Sequence, residues 1–509
     1  MKSSKRFIHY LAAFVLIGFG TILHGCDFLD PTEVSNPQAT PEDLARAAEP
    51  VRAMMPGLEA QFARALGSNV VITETVSDNY SVHGTGISSQ FDFPRQLTID
   101  EGATNGTGAT QGAYWNASEL RALATFVIDD IIPGDQTASS QDIARVFYYR
   151  GMAHLFQGEN FVGAVLEREG DVVPARTLLE LAAGDFQESL NRSGSGVFAT
   201  ASRAALARTH RALGNEVQAA NFATQVLNDS PTFLFGQPFD DNLSNAPYIF
   251  IVQRALKELQ PLPRLDFLDP KYTTRESEIP VAKAEEMHLI LAEAALTGAP
   301  DLGAARQHLI NAINLANNES AGRVRVPFEE NDQRLNNDLE ARPRHDLFRV
   351  KASPDAPERE NLVLTRPGTI ETPTVSGTSF TEADINNAAT ADELIYLLYN
   401  LRQEILFLEG RRLHDLGIRL NIMLRELDAN QSVTRSSLGV DTFVPAYIPS
   451  SNEMDLFDPS SPYPGGEPDD PQNPTVTTQV ITIMHDLNER LTNQRGTVLG
   501  NPFVGVPGS

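Results

Sequence analysis

Thr200–Asp229 reads TASRAALARTHRALGNEVQAANFATQVLND, and this stretch decides the fold. Two helical patterns of similar length, 200–213 and 215–229, are interrupted by Gly214-Asn215. Take Thr200 as position 1 of a repeat unit of about 34 residues. Leu206 then falls at 7, Ala207 at 8, Gly214 at 15, Ala219 at 20 and Pro231 at 32. Small residues sit where two helices would cross, Gly sits at the turn and Pro at the end. Small side chains let helix axes approach closely, and Pro cannot continue a helix.

These are tetratricopeptide-like preferences, with Ala223 standing where an aromatic is usual. Working outward, a second pair is written in 281–297 and 301–317, where Ala305 and Ala312 lie seven residues apart. Apolar residues also recur at helical spacing in 42–66, 117–132, 142–157 and 175–190. The longest stripe is 392–427, carried by Leu394, Leu397, Leu398, Leu401, Ile405, Leu408 and Leu416. Within it Glu409, Arg412, Asp415 and Arg419 are three or four apart, which predicts ion pairs along a solvated or half-buried helix face. The pattern predicts a mostly α protein, with tetratricopeptide-like helix pairs at about 142–230, 281–317 and 392–427. Segments 67–113, 230–280, 353–390 and 430–478 read as loop-rich insertions. Loops of that length in a compact body usually carry function or lack fixed structure.

Composition narrows the class. The 509 residues carry a formal charge of −26, which argues against nucleic acid as a partner, since phosphates need clustered Lys and Arg. A hydrophobic fraction of 41% excludes both a mostly disordered chain and a polytopic membrane protein. Lys2, Lys5 and Arg6 precede the nearly apolar run Phe7–Leu23, and Leu23-His24-Gly25-Cys26 follows. This is the three-part pattern of an export signal over 1–25. Cys26 is the sole cysteine, so no internal disulfide forms, and its setting resembles a bacterial lipobox. Cys26 is therefore the expected lipidation site, anchoring the chain to a membrane through acyl chains. Residues 26–41 are polar, contain three prolines, and read as a flexible tether.

Signatures of catalysis are sparse. The sequence holds no H-E-x-x-H, no G-x-x-x-x-G-K-[ST] and no G-x-S-x-G. The Gly-rich run 102–112 has Gln111 where a dinucleotide loop needs its third Gly. No metal or cofactor is expected. Asp240-Asp241-Asn242 reads as a solvated turn rather than a Ca²⁺ site.

The order of several segments resembles the SusD/RagB family of outer-membrane nutrient-binding lipoproteins. They are Cys26-Asp27-Phe28-Leu29-Asp30, then Val146–Arg150 with His154–Gly158, then Arg203–Arg208 with Leu213-Gly214. Next come Ile279-Pro280-Val281 with Ala284-Glu285 and Leu291–Ala294, and then FLEGRRLHDL over 407–416. Ile448-Pro449 with Glu453, and Gln472-Asn473-Pro474, close the series. Departures mark a divergent member: Ile405 stands where Glu is frequent, Lys283 where Arg is usual, and Pro449 to Glu453 is one residue too long. The resemblance implies one α-helical domain over 42–509 with loops and short strands on one side. It also implies a non-enzymatic protein, lipid-anchored at the outer membrane and facing the cell exterior. Such a protein captures a glycan or peptide and passes it to a SusC-like TonB-dependent barrel transporter. A scaffold lipoprotein of envelope assembly is the alternative, and a secreted glycan hydrolase a further one.

Sugar sites need flat apolar faces beside polar groups of fixed geometry. The single Trp of the chain, Trp115, follows the Gly-rich loop and is flanked by Tyr114 and Asn116. These three are the first candidate ligand-binding group. The second comes from 77–98, where Asn79 and Tyr80 lie with Phe91 and Arg95. For every aromatic in the two groups, the competing assignment is core packing.

Overall fold

The structure is a computed structural model describing residues 47–82, 89–100, 112–253, 259–330, 346–366, 368–450, 457–458 and 479–494. The signal 1–25, Cys26, the tether, Glu453 and Gln472-Asn473-Pro474 lie outside the described residues. In chain order the helices are α1 (Pro50–Val76), α2 (Ala113–Phe126), α3 (Ser140–Asn160), α4 (Ala175–Ser193), α5 (Val197–Ala212) and α6 (Glu216–Asp229). They continue with α7 (Ala284–Leu296), α8 (Leu302–Ala316), α9 (Glu382–Asn387), α10 (Ala391–Ile405), α11 (Arg412–Asp415), α12 (Leu424–Ala429) and α13 (Leu487–Asn493).

The stretch at 200–229 forms the hairpin α5–α6. Gly214 takes φ +74°, the left-handed conformation that reverses the chain at little steric cost to Gly. The Asn215 side chain accepts from the Gln218 amide and caps α6. Ala207, Ala219 and Ala223 are all buried, so a methyl at 223 fills a place too tight for an aromatic. Neighbours in sequence pack as neighbours in space: α3 on α4, α4 on α5, α5 on α6, α6 on α7 and α7 on α8. This is a stack of helix pairs, a mostly helical fold of the tetratricopeptide-like kind. Its core is aromatic at one end. The Tyr148 ring meets Phe198 and Phe235 edge-on at 5.5 and 5.8 Å. Phe186 reaches into this group because Gly151 has no side chain, and a Cβ there would lie 2.8 Å from the Phe186 ring. Each buried Leu or Phe of this kind contributes about 1.5–3 kcal/mol.

Short strands tie the irregular connections to the stack. Gly163–Val165 and Val172–Pro174 form a hairpin between α3 and α4. Leu234–Gln237 pairs antiparallel with Ile279–Lys283, and Tyr80–Val82 with Leu259–Pro261. Farther on, Arg325–Glu329 pairs with Thr369–Pro373, and Phe348–Lys351 runs parallel to Gln479–Ile483.

Two expectations are corrected. The insertion 67–113 does not begin at residue 67, because α1 continues to Val76. Its last turns are polar in sequence yet buried, and Ser68, Thr73 and Thr75 return their hydroxyls to carbonyls of the preceding turn. Polar residues that satisfy themselves in this way do not announce a helix by hydrophobic spacing. The second correction concerns 392–427, which is not one helix. α10 ends at Ile405, Leu408 takes φ +57°, and Gly410 takes φ +73°. The chain reverses there, so Glu409, Arg412, Asp415 and Arg419 do not pair along a helix. They point to four different parts of the molecule.

Candidate functional site

The reversal after α10 is held by buried ions. Glu409 Oε1 accepts from Lys271 Nζ at 2.7 Å and from Lys283 Nζ at 2.6 Å. The two ammonium groups also donate to the carbonyls of Phe407 and Ile405, at 2.6 Å each. Burial, opposed by Glu409, pulls Lys271 down to about 8. Arg411 donates to Glu286 and to the Val281 carbonyl. Burial alone would raise Glu286, but Arg411, Arg208 and Arg402 outweigh it and hold that carboxyl down at about 2. Arg412 grips Asp78 through two bonds of 2.6 and 2.7 Å. Asp415 lies between Arg402 at 2.8 Å and Arg211 at 2.9 Å, and Arg211 also reaches Glu293. Arg419 donates to the carbonyls of Gly158 and Glu159. Glu74 accepts from the Gly410 amide and from Asn79, and burial pushes it up to about 7.

Unpaired buried charges are costly, so a fold tolerates this many only when each finds a counter-ion or dipole. The network joins α1, α5, α7, α10 and the strand ending at Lys283. Its members include the charged residues of the most recognisable sequence segments: Arg208, Lys283, Glu285, Glu293, Glu409, Arg411, Arg412 and Asp415. Arg208 pairs with Glu159, and Glu285 with Arg323. These motif residues hold the fold together and are too buried to touch a solute.

Most of the second candidate group shares that fate. Asn79 is buried between Glu74 and Gln403. Tyr80 is 1% exposed, stacks on Phe407 at 5.6 Å and donates to Asp269. Phe91 is buried in the main core. Arg95 is exposed but engaged, donating to the carbonyls of Val444, Pro445, Ile448 and Pro449. It clips segment 444–449 onto 94–96. In the first group, Tyr114 has no exposed surface; its hydroxyl accepts from the Val165 amide and its ring meets Phe161 edge-on. A ring with no open face cannot stack on a solute, so Tyr80, Phe91 and Tyr114 are core residues in this conformation. The sequence cannot separate a core aromatic from a binding one, since both are flat and apolar.

Trp115 and Asn116 differ. Both are half-buried at the start of α2. Asn116 donates to Ser68 Oγ at 3.1 Å, while Trp115 packs on the core with part of its surface open. The Arg425 guanidinium lies over the Trp115 ring at 4.8 Å. Arg425 has no motif and stands about three hundred residues away, so nothing in the sequence links it to Trp115. The base beneath is firm. Arg121 of α2, buried, donates to Gln157 of α3 and to the Val165 and Leu166 carbonyls of the strand hairpin. Glu426 beside Tyr114 is raised by partial burial. Around this point three irregular segments meet. Asn430 and Ser432 donate to the carbonyls of Gly170 and Glu169, Arg435 pairs with Asp100, and Thr442 donates to the Leu97 carbonyl.

Two concave spaces lie elsewhere. One is a cleft at the α5–α6 turn, lined by Gly214, Glu216, Ala219, Ile290, Ala294 and Thr297. The other lies among α9, α10 and α13, floored by Tyr396 and Leu397 and rimmed by Asp384, Asp392, Glu393 and Glu489. Among the described residues there is no group of three or more His, Cys, Asp or Glu placed to hold a metal. No helix among them is long and apolar enough to cross a membrane. At Asp240 the carboxylate accepts from the Asn242 and Leu243 amides, closing a turn.

No family model matches the chain, and no curated protein matches it. Solved structures do. A SusD superfamily protein from Bacteroides fragilis is 13% identical, with a TM-score of 0.48 over 75% of this chain and 98% of that one. NanU of B. fragilis is 10% identical, with a TM-score of 0.48 over 79% of this chain and 95% of that one. A laminarin-binding SusD-like protein is 11% identical, with a TM-score of 0.45 over 72% and 90%.

Proposed function

We propose that the chain is a divergent SusD-like binding protein without catalytic activity, in one helical body from residue 42 to 509. It is exported, lipidated at Cys26, and held at the outer membrane by a tether. It captures a glycan, or less readily a peptide, at the crest around Trp115 and delivers it to a SusC-like TonB-dependent transporter. The observation that carries this reading is the convergence of three widely spaced sequence segments, 203–208, 279–294 and 407–416, on one buried ion network. Segments that are merely alike by chance have no reason to meet. Trp115 supplies the flat face, Arg425 and Asn116 the polar groups, and the 419–450 segment the wall.

The only Trp of the chain is its own reporter. Titration of the soluble body with a panel that includes laminarin and xylogluco-oligosaccharides, followed by Trp emission, should give saturable changes with one of them. Trp115→Phe should keep most of the affinity, measured calorimetrically, and Trp115→Ala should weaken it about tenfold. Silence across glycans and peptides alike would defeat the ligand part of the proposal. Recovery of the tagged, lipidated chain from outer membranes without any barrel protein would defeat the partner part. The cleft at the α5–α6 turn favours the scaffold reading, in which a peptide lies on the helical stack; Glu216→Arg, at an exposed position lining the cleft, would then abolish capture while Trp115→Ala would not.

A further inference from the structure

His288 of α7 and His308 of α8 face each other with their Nδ1 atoms 3.2 Å apart and their ring centroids 5.5 Å apart. Neither ring is used by the ion network or by the Trp115 crest. Both are half-buried, so their faces pack on the helices while the site stays reachable from solvent. Two neutral imidazoles at this separation satisfy each other only when one Nδ1 carries a proton and the other accepts it. The same separation suits a shared metal ion. With metal–nitrogen bonds of about 2.05 Å, an N···N distance of 3.2 Å gives an N–metal–N angle of roughly 100°, between square-planar and tetrahedral values.

We propose that His288 and His308 form a two-imidazole site for a divalent transition ion, tightest for Cu²⁺, then Ni²⁺ or Zn²⁺. Each ring keeps its proton on Nε2 and gives its Nδ1 lone pair to the metal. The ring that now donates through Nδ1 shifts its proton to Nε2, so binding releases no net proton. No third His, Cys, Asp or Glu completes the set among the described residues. Glu285, three residues before His288 on α7, is bonded to Arg323 and Ser376. Water therefore fills the remaining positions, and the ion exchanges rather than becoming a permanent part of the fold. A bound ion pins α7 to α8, joining the two helices of one pair by a bond in addition to apolar packing.

The affinity order is that of imidazole ligands generally, with Cu²⁺ ahead of Ni²⁺ and Zn²⁺. The test uses the full chain stripped with chelator, titrated with Cu²⁺ alone and followed by thermal unfolding and by electron paramagnetic resonance. The wild type should gain a higher midpoint and a signal split by two imidazole nitrogens. His288→Gln and His308→Gln should each weaken Cu²⁺ binding at least about tenfold and lose that splitting, while unfolding normally in chelator. Other histidines contribute equally to all three proteins and cancel in the comparison. Unchanged Cu²⁺ affinity in either variant, or no second nitrogen in the wild-type signal, overturns the assignment and leaves an ordinary hydrogen bond between the rings. A variant that fails to fold is replaced by His308→Asn, read by the same two outcomes.

Discussion

Residues 200–229 and 392–427 have the same apolar periodicity and different fates. The first is a helical hairpin whose only break is the predicted Gly214 turn. The second is α10, a chain reversal with Leu408 and Gly410 at positive φ, then the short α11 and the start of α12. The difference lies in what each stretch packs against. Helices α5 and α6 meet each other largely through Ala, Leu and Val, while Arg208 and Arg211 on α5 reach the ion network, and an apolar face is satisfied by any apolar partner. Residues 407–415 bring four charges into the interior, Glu409, Arg411, Arg412 and Asp415, and each must meet a particular counter-group. Directional partners win over local helix preference because the cost of a buried unpaired charge exceeds that of ending a helix.

The largest test of this contrast is Glu409→Ala. It leaves Lys271 and Lys283 buried without their common carboxylate, and should cost about 3–5 kcal/mol in urea unfolding, enough to prevent folding of a marginal domain. A loss below 1 kcal/mol would mean that the two ammonium groups are solvated. The matching change at the hairpin, Glu216→Ala on exposed α6, should be nearly neutral.

A second test uses pH. Glu74 titrates near 4.5 when unfolded and at about 7 in the fold, so the folded state binds the proton more tightly. Its contribution is complete below the unfolded value and is lost as pH rises through about 7. Glu74→Gln cannot ionise. The wild type should therefore lose about 2–3 kcal/mol relative to this variant between about pH 5 and pH 8. A pH-independent difference would show that Glu74 is ordinary and the reversal wetter than its burial implies.

Glycine replacement compares the two turns directly. Gly214→Ala pays for left-handed backbone, about 1 kcal/mol. Gly410→Ala pays that and also places a Cβ 2.9 Å from Asn69 Nδ2, so it should cost visibly more, about 2–3 kcal/mol. Equal losses would argue that α1 yields at Asn69. A smaller loss than either glycine change belongs to Asn215→Ala, which removes the α6 cap and should cost about 0.5–1 kcal/mol, seen as a small fall in thermal midpoint.

The helical pairs were legible because apolar residues at 3.6 spacing and small residues at crossings report local geometry directly. The α1 extension to Val76 was not, since Asn69, Thr73 and Glu74 look like loop residues until their buried partners are known. Of the candidate ligand residues, Trp115 and Asn116 stand at the crest, whereas Asn79, Tyr80, Phe91 and Tyr114 are built into the interior. Composition reports only that a ring is flat and apolar. Which face it shows is set by what packs on it, here Phe407 on Tyr80 and Phe161 on Tyr114.

From its sequence alone the chain determined its acidic character, its helical periodicity, the turn at Gly214 and the export pattern ahead of Cys26. Those properties depend on residues close together in the chain or on simple counts. Tertiary structure alone decided that the charges of 407–415 are fastened to Asp78, Lys271, Lys283 and Glu286, that Arg425 lies against Trp115, and that His288 meets His308. Each of these joins residues separated by twenty to more than three hundred positions, and such a distance is closed only when the helices between them have packed.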